Sequence, residues 1–443
     1  MDVKDKKVIV FGLGVTGKSS IRALSKLGAK VYIYDDRKYE EYKDTLNDLK
    51  EYDYQIIENK DEIEWEEIEF ILKSPGIKLD NKFILLALEK NIKVYSDIEV
   101  AYQLWGGDNL ISVTGTNGKT TTTAMISHIL NKCGIKSKVV GNIGVGILWE
   151  ILQNGLDYKY VLELSSFQLS SIDKFRSKVS IITNITEDHT DWHGKFDNYK
   201  ESKYAIFKNV LKNDVVILNK DDIYLKNLNI NSDNILYFSL KNDADAYLNN
   251  NDIVVLDNKF NKDKIHLVGN HNIANTLAAC LAISNLYIPF NKIVDSISTF
   301  NAIEHRIEFV KEINGVKYFN DSKGTNIDST KVALDGFESN VILIGGGYDK
   351  HVEFDTLFNC NKNIKLLILY GETKYKMEKS AKKCNIKNIK IVNDLEQAVN
   401  LAYNYAVNGD TVLFSPANAS WDMYNSYEER GKHFKELVLK YAK

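Results

Sequence analysis

The apolar residues of this chain gather in short runs bounded by glycine, proline, asparagine and aspartate. Val8–Phe11, Val31–Tyr34, Tyr54–Ile57, Phe70–Leu72, Leu110–Val113, Tyr160–Leu164, Val179–Thr183 and Val215–Leu218 read as strands. So do Val341–Ile344, Leu366–Tyr370 and Thr411–Phe414. Between them lie stretches whose apolar spacing suits helices, among them the run up to Leu27, Thr121–Cys133 and the run after Asn272 through Leu286. Strand and helix signals alternate, so the expected class is α/β with doubly wound sheets. Asn314-Gly315 predicts a hairpin within Arg306–Asn320, and Asp257-Asn258 a two-residue turn between strands. Three consecutive α/β segments are expected, 1–96, 97–302 and 303–443.

Composition narrows the function classes. The 443 residues are 26% charged and 44% hydrophobic, with a net charge of −3, so no nucleic-acid footprint is visible. Apolar runs are too short to span a membrane, and the N-terminus lacks a signal-peptide core. Cys133, Cys280, Cys360 and Cys384 lie far apart, which suits neither a zinc site nor a disulfide frame. A cytoplasmic protein is the expectation.

The richest chemical signal is Thr114-Gly115-Thr116-Asn117-Gly118-Lys119-Thr120, set between a strand and a helix. Glycines let successive N–H groups face a phosphate, and the helix dipole adds positive potential. Lys119 supplies a full charge, and the Thr120 hydroxyl suits magnesium. Val113 stands where the standard phosphate loop has its first glycine, so this is a shortened variant. Gly12, Gly14 and Gly17, followed by Asp35, match a dinucleotide-binding fingerprint. The doubly wound fold follows more securely from that match than the cofactor does, and a nicotinamide oxidoreductase stays open at this point.

Other residues carry two readings each. Glu163 ends a strand, as a magnesium-holding carboxylate or as a cap. His189 shares that rim, as a ligand or as a hydrogen-bonding group, though magnesium prefers oxygen. Lys203, taken by itself, reads as a solvated helix lysine. The Asn320–Asn326 loop is what a binding loop needs, and also what a helix cap needs. Gly345-Gly346-Gly347 suggests close backbone approach to a ligand, and His305-Arg306 places a permanent cation at the join of two segments.

In this order the motifs Thr114–Thr120, Leu162–Gln168, Glu187–His189, Gly269–Asn272, His305-Arg306, Asn320–Lys323 and Ser415–Ser420 resemble the Mur ligases of peptidoglycan synthesis. The resemblance covers essentially the whole chain. It implies a Rossmann-like UDP-binding domain, a central phosphate-loop ATPase domain and a C-terminal Rossmann-like domain. It also implies an ATP-dependent amide ligase working through an acyl phosphate. The Asp321–Lys323 and Ser415–Ala417 loops point to the D-glutamate-adding branch, with UDP-N-acetylmuramoyl-L-alanine as the other substrate. A sister ligase, a folylpolyglutamate-type ligase and a non-catalytic nucleotide binder are the alternatives.

By resemblance, Val15, Thr16, Asp35 and Arg37 lie by the UDP moiety. Asn142, Ser165, Gln168 and His189 lie on the muramoyl-alanine side. Gly115, Thr116, Asn117, Gly118, Lys119, Thr120, Thr121, Asn272, Asn275, Arg306 and Asp321 take ATP. Thr120, Glu163, His189 and a carbamylated Lys203 hold two magnesium ions. Lys323, Thr325, Lys350, Ser415 and Tyr424 receive D-glutamate. Lys119, His189, Lys203, Arg306 and Lys323 are the expected catalytic groups, and a monomer is expected. Gly324, Asn418 and Asp36 depart from the family pattern, and Gly324 is expected to loosen its loop slightly.

Overall fold

A computed structural model describes residues 1–142, 144–286, 288–301, 303–359 and 363–442. Cys360, and the expected segment ends at Ala302 and Lys443, lie outside the described residues. The first sheet is parallel, in the order β3-β2-β1-β4-β5: β1 Lys7–Phe11, β2 Lys30–Tyr34, β3 Gln55–Ile56, β4 Ile68–Lys73 and β5 Lys93–Tyr95. The order reverses between β1 and β4, so their carboxyl ends open a crevice where doubly wound folds bind ligands.

The second sheet comprises β6 Leu110–Thr114, β7 Ser137–Gly141, β8 Lys159–Glu163, β9 Val179–Ile182, β10 Val215–Asn219, β11 Asn234–Ser239, β12 Ala246–Asn249, β13 Asp252–Val255 and β14 Asn258–Asn261. Its order is β14-β13-β12-β11-β10-β9-β6-β8-β7. Strand β6 lies between β8 and β9, with Val113 opposite both Glu163 and Ile181. The phosphate loop therefore leaves the sheet flanked by the carboxyl ends of two neighbours. The third sheet, β15-β16-β20-β17-β18-β19, comprises β15 Glu308–Ile313, β16 Val316–Asn320, β17 Val341–Gly346, β18 Ile364–Tyr370, β19 Ile389–Ile391 and β20 Thr411–Phe414. Asn314 and Gly315, both at positive φ, turn the β15–β16 hairpin as expected.

The other hairpin is displaced by one residue from its expected place. Val255 pairs with Asn258, so Leu256-Asp257 makes the turn, with Leu256 at φ +50°. Inward-facing Ile253, Val255 and Phe260 decide that register, because a one-residue slip would turn them to solvent. The short strands β5, β7, β12 and β19, having few consecutive apolar residues, were not among the expected strands, and neither was β11, despite its apolar run Ile235–Phe238.

The chain packs as two compact units. One is Met1–Lys264 with Ala274–Ser298, and the other is Ile265–Ile273 with Thr299–Lys443. The first unit holds two sheets that share one core: Ile21 and Leu24 of the helix Val15–Lys26 join Ile147, Leu148 and Ile151 of the helix Ile147–Asn154. Ser19 Oγ donates to Gly146 O at 3.1 Å, and Ser96 N to Ser171 O at 3.1 Å, across the expected segment boundary. Among the described residues, no helix is long and apolar enough to cross a membrane.

At the first glycine turn, a Cβ on Gly17 would overlap the Gly12 carbonyl, whereas a Cβ on Gly14 meets nothing within 4 Å. Gly17→Ala is therefore expected to cost ~1–3 kcal/mol through forced backbone shifts and lower the melting temperature. Gly14→Ala should melt like the parent; equal melting of both variants in calorimetry would refute the steric account.

Candidate active site

Glycine is needed in the loop of the second sheet for steric reasons. Gly115 has φ +144° and Gly118 φ +86°, and added Cβ atoms would strike Thr183 Oγ1 and Asn275 Oδ1. The helix Lys119–Lys132 starts directly after Gly118, so its first-turn N–H groups, lacking intrahelical acceptors, face outward beside the loop. The loop is braced from below by Asn184. Asn184 O accepts from Thr116 N at 2.9 Å, its Oδ1 accepts from Asn117 N at 2.9 Å, and its Nδ2 donates to Asn117 O at 2.9 Å. Thr183 Oγ1 adds a 2.6 Å bond to Asn117 O. Thr116 Oγ1 lies 3.0 Å from the Tyr199 hydroxyl and donates to Thr186 O at 3.0 Å. Two loop N–H groups are thus spent on Asn184, leaving an anion to the helix N-terminus and Lys119. Sequence reasoning assigned Asn184 no role; its place directly after a strand beside the loop was the available signal.

Two lysines converge on this loop. Lys119 Nζ donates to Gly115 O at 2.9 Å and to Thr116 O at 2.8 Å. Lys203, on the helix Phe196–Tyr204, is only 1% exposed and donates to the same Gly115 O at 2.8 Å. Its ammonium lies 4.6 Å from the centre of the Tyr199 ring. The solvated reading of Lys203 is overturned. Burial, with Lys119 nearby, holds its pKa well below the ordinary lysine value, and Asp188 and Glu163 oppose this only in part.

Glu163 closes β8 and is 2% exposed. One carboxylate oxygen, Oε1, accepts from Asn142 Nδ2 at 3.0 Å, while the other is buried without a hydrogen-bond partner. Buried polar groups are nearly always satisfied, so the free oxygen of Glu163 is one that a cation could reach, and capping does not account for it. His189 sits at φ +50°, 3.6 Å from Asp188 and edge-on to Phe167. Thr120 is buried at the first turn, and Asn275 faces Gly118 and accepts from Thr122 at 3.3 Å.

Ser165 and Gln168 take structural roles here. Ser165 caps the short helix Ser166–Leu169, and Gln168, wholly buried, returns the bond and donates to Asp97 at 3.2 Å. The Ser-x-x-Gln pattern of a capping box was legible and went unread. At the first sheet, Asp35 accepts from Leu13 N at 3.0 Å and grips Arg37 through two 2.8 Å bonds. Burial raises its pKa, but the guanidinium and the backbone donors outweigh it and hold the group below its usual range. Arg37 is thereby oriented. Val15 is 64% exposed at the turn, beside half-buried Thr16.

In the second unit, Asp321 is buried, accepts from Ser415 Oγ at 2.6 Å and Ile307 N at 3.2 Å, and is pushed up to about 6 by burial. Ser415 is fully buried on that bond and on Thr330, at 2.8 Å. A Cβ on Gly324 would lie 2.5 Å from Asp321 Oδ2 and 2.7 Å from Ser415 Oγ. Gly324 thus makes room for this pair, which replaces the expectation of a loosened loop. Lys350 Nζ donates to Thr325 O at 3.3 Å and lies 5.8 Å from the Trp421 ring centre. Lys323 faces the ring of Tyr427 at 5.6 Å, while Tyr424 bonds to His433 at 2.8 Å. Asn272 donates to Val268 O at 2.7 Å, and Arg306 Nε is buried without a hydrogen-bond partner. Burial, with Arg306 nearby, lowers His271 to about 4.

The buried Lys203 ammonium has a stability consequence. Its folded pKa lies below the ordinary 10.5, so between the two values the unfolded chain binds the extra proton and stability rises with pH. Lys203→Met is expected to raise the unfolding midpoint at neutral pH in carbon-dioxide-free buffer, the gain shrinking as pH approaches 10.5. Urea titrations across that range check it; a gain independent of pH would count against a strained ammonium.

Three family models match the chain in succession: "Mur ligase MurD-like, N-terminal domain" over residues 6–96, "Mur ligase middle domain" over 113–283, and "Mur ligase, glutamate ligase domain" over 305–418. A UDP-N-acetylmuramoylalanine–D-glutamate ligase of Clostridioides difficile is 42% identical over 447 residues, covering 99% of each chain. Its namesake in Alkaliphilus oremlandii is 39% identical over 454 residues, again with 99% of each covered. Two solved structures share the fold. A pseudomurein peptide ligase type C from Methanothermus fervidus has a TM-score of 0.61 at 20% identity, covering 98% of this chain and 99% of that one. The UDP-N-acetylmuramate–alanine ligase of Thermotoga maritima has a TM-score of 0.61 at 17% identity, with the same coverage. Matched in all three segments and along its whole length by such relatives, the chain belongs to the Mur ligase family.

Proposed function

We propose that the protein is an ATP-dependent ligase that joins D-glutamate to UDP-N-acetylmuramoyl-L-alanine in cytoplasmic peptidoglycan precursor synthesis, with working domains 1–96, 97–302 and 303–443. The observation that carries this reading is the buried cluster around Gly115, with two lysines on one carbonyl and a half-satisfied Glu163 beside a glycine-bearing phosphate loop. A carboxylate is a poor electrophile, so the acid must take the terminal phosphoryl group of ATP before an amine can attack. Carboxylate and triphosphate repel by ~4 kcal/mol at ~4 Å and an effective dielectric of ~20. Cationic groups must offset that repulsion where the two meet.

The chain's own groups fit this task. Lys119 and the first-turn N–H groups, with Thr116 to Thr121 and Asn275, hold the phosphates. Thr120, Glu163, His189 and Lys203 hold two magnesium ions, whose chemistry is to neutralise charge on the transferring phosphoryl group. An ammonium cannot bind magnesium, whereas a carbamate can, through its oxygens. Carbamylation consumes neutral amine, which for an unperturbed lysine near pH 7 is roughly one part in a few thousand. The depressed pKa of Lys203 raises that fraction. Asn142 orients Glu163 and faces the muramoyl-alanine side, while Ser165 and Gln168 shape that wall from within. Arg37, set by Asp35 next to Val15 and Thr16, takes the UDP end. In the second unit, Asn272, Arg306 and Asp321 serve the nucleotide. Lys323, Thr325 and Lys350, with Ser415 behind them and Tyr424, serve the two carboxylates of D-glutamate. The enzyme works as a monomer.

The assay is phosphate release from ATP with UDP-N-acetylmuramoyl-L-alanine, magnesium and a panel of amino acids. Release is expected with D-glutamate and little with L-glutamate, L-lysine or diaminopimelate; equal turnover of L-glutamate would remove the assignment. Lys203→Ala should lose activity and regain part of it with added short carboxylic acids, which replace the carbamate oxygens. Absence of rescue by any acid would argue against carbamylation.

A further inference from the structure

Arg430 heads the largest fully buried side chains of the protein. Its surroundings in sequence, Glu428-Glu429-Arg430, look like a solvated face of the helix Tyr427–Lys440. Instead the guanidinium lies beneath loops at the carboxyl ends of the third sheet. Nε donates to Ser322 Oγ at 3.1 Å, Nη2 to Ser322 O at 2.9 Å and Asn418 O at 3.0 Å, and Nη1 to Ala419 O at 3.0 Å. All four acceptors are neutral. The Phe414 ring lies 5.9 Å away, and a Cβ on Gly347 would meet Nη1 at 3.1 Å. A permanent charge has been buried here and solvated by three carbonyls and a hydroxyl, an expensive arrangement for a group that serves packing alone.

The geometry has a directional consequence. Peptides are planar and trans, so a carbonyl aimed at Arg430 turns the next N–H the opposite way. Arg430 therefore sets the peptide planes after Ser322, Asn418 and Ala419. Those planes belong to the two loops, Asn320–Lys323 and Ser415–Ser420, that carry the expected amino-acid residues. Ser322 Oγ passes the constraint to Tyr427 O at 2.8 Å, and the Tyr427 ring faces Lys323.

We propose that Arg430 is a positioning residue for the incoming amino acid: it draws the backbone carbonyls of both loops inward, which fixes the Asn320–Lys323 loop, whose Lys323 N–H is spent on His305 O at 3.0 Å, turns the N–H groups of Ala419 and Ser420 the opposite way, toward a dianionic substrate, and supplies buried positive potential beneath it. This rests on the D-glutamate reading above. The role is confined to the second half-reaction, because acyl-phosphate formation needs no amino acid.

The test uses the full-length enzyme and the variants Arg430→Lys and Ser322→Ala. Lysine keeps the charge, but a single ammonium cannot replace the planar fork on four acceptors. Losing one or more charge-assisted bonds is expected to raise the KM for D-glutamate about tenfold in Arg430→Lys and a few-fold in Ser322→Ala. The KM values for ATP and the UDP substrate should stay at the parent level, as should acyl phosphate trapped as hydroxamate by hydroxylamine. A purely structural role would depress hydroxamate and amide formation together, and that result overturns the proposal. So does an unchanged KM for D-glutamate in folded protein; should Arg430→Lys fail to fold, Ser322→Ala decides alone. The parent enzyme is run alongside: no amide from D-glutamate there would refute the ligase reading and the inference with it, whereas an active parent with indifferent variants would refute the inference alone.

Discussion

Two ammonium groups share one carbonyl oxygen, Gly115 O, inside the first unit. The active-site architecture depends on holding them there. Like charges so close and so little hydrated repel each other, and the structure meets that cost with the Tyr199 ring, the loop carbonyls and the carboxylate of Glu163. The same crowding lowers the pKa of Lys203, which makes its amine available for chemistry that a solvated lysine would rarely attempt. The crowding and the lowered pKa share a cause: positive charge concentrated on one buried carbonyl.

Everything around that pair is arranged to keep it in place. Gly115 and Gly118 leave no room for a Cβ, so Thr183 and Asn275 can close on the loop. Asn184 fixes the loop backbone with three bonds and leaves the helix N-terminus to an anion. The parallel register of β6, β8 and β9 brings Glu163 and the Thr183-Asn184 turn to the two sides of the loop. The second unit repeats the device with different groups. Buried Arg430 holds down two loops through their carbonyls, and Gly324 leaves space for the Asp321–Ser415 bond. In both places a cation is buried against backbone oxygens and holds the loop that carries them.

The features legible from sequence are those dictated by short-range chemistry. Glycines at positive φ, a lysine and a threonine at a helix start, and apolar runs of strand length depend on neighbours a few residues away. The Asn314-Gly315 hairpin fell where expected for that reason, and the Leu256-Asp257 turn did not, because burial of Ile253, Val255 and Phe260 chose its register. Ser165 and Gln168 belong to the same short-range class: their four-residue spacing is that of a capping box, which the structure forms.

By itself the sequence determined an α/β chain in three segments, a variant phosphate loop, and membership of a ligase family through motifs spread along its length. Only tertiary structure decided which polar side chains are buried. Lys203 and Arg430 sit in polar helices that read as solvated, and each reaches acceptors about a hundred positions away, 88 for Lys203 to Gly115 and 108 for Arg430 to Ser322. The free energy of a charge depends on the dielectric and the dipoles around it, and those are assembled from residues that meet only when the sheets close.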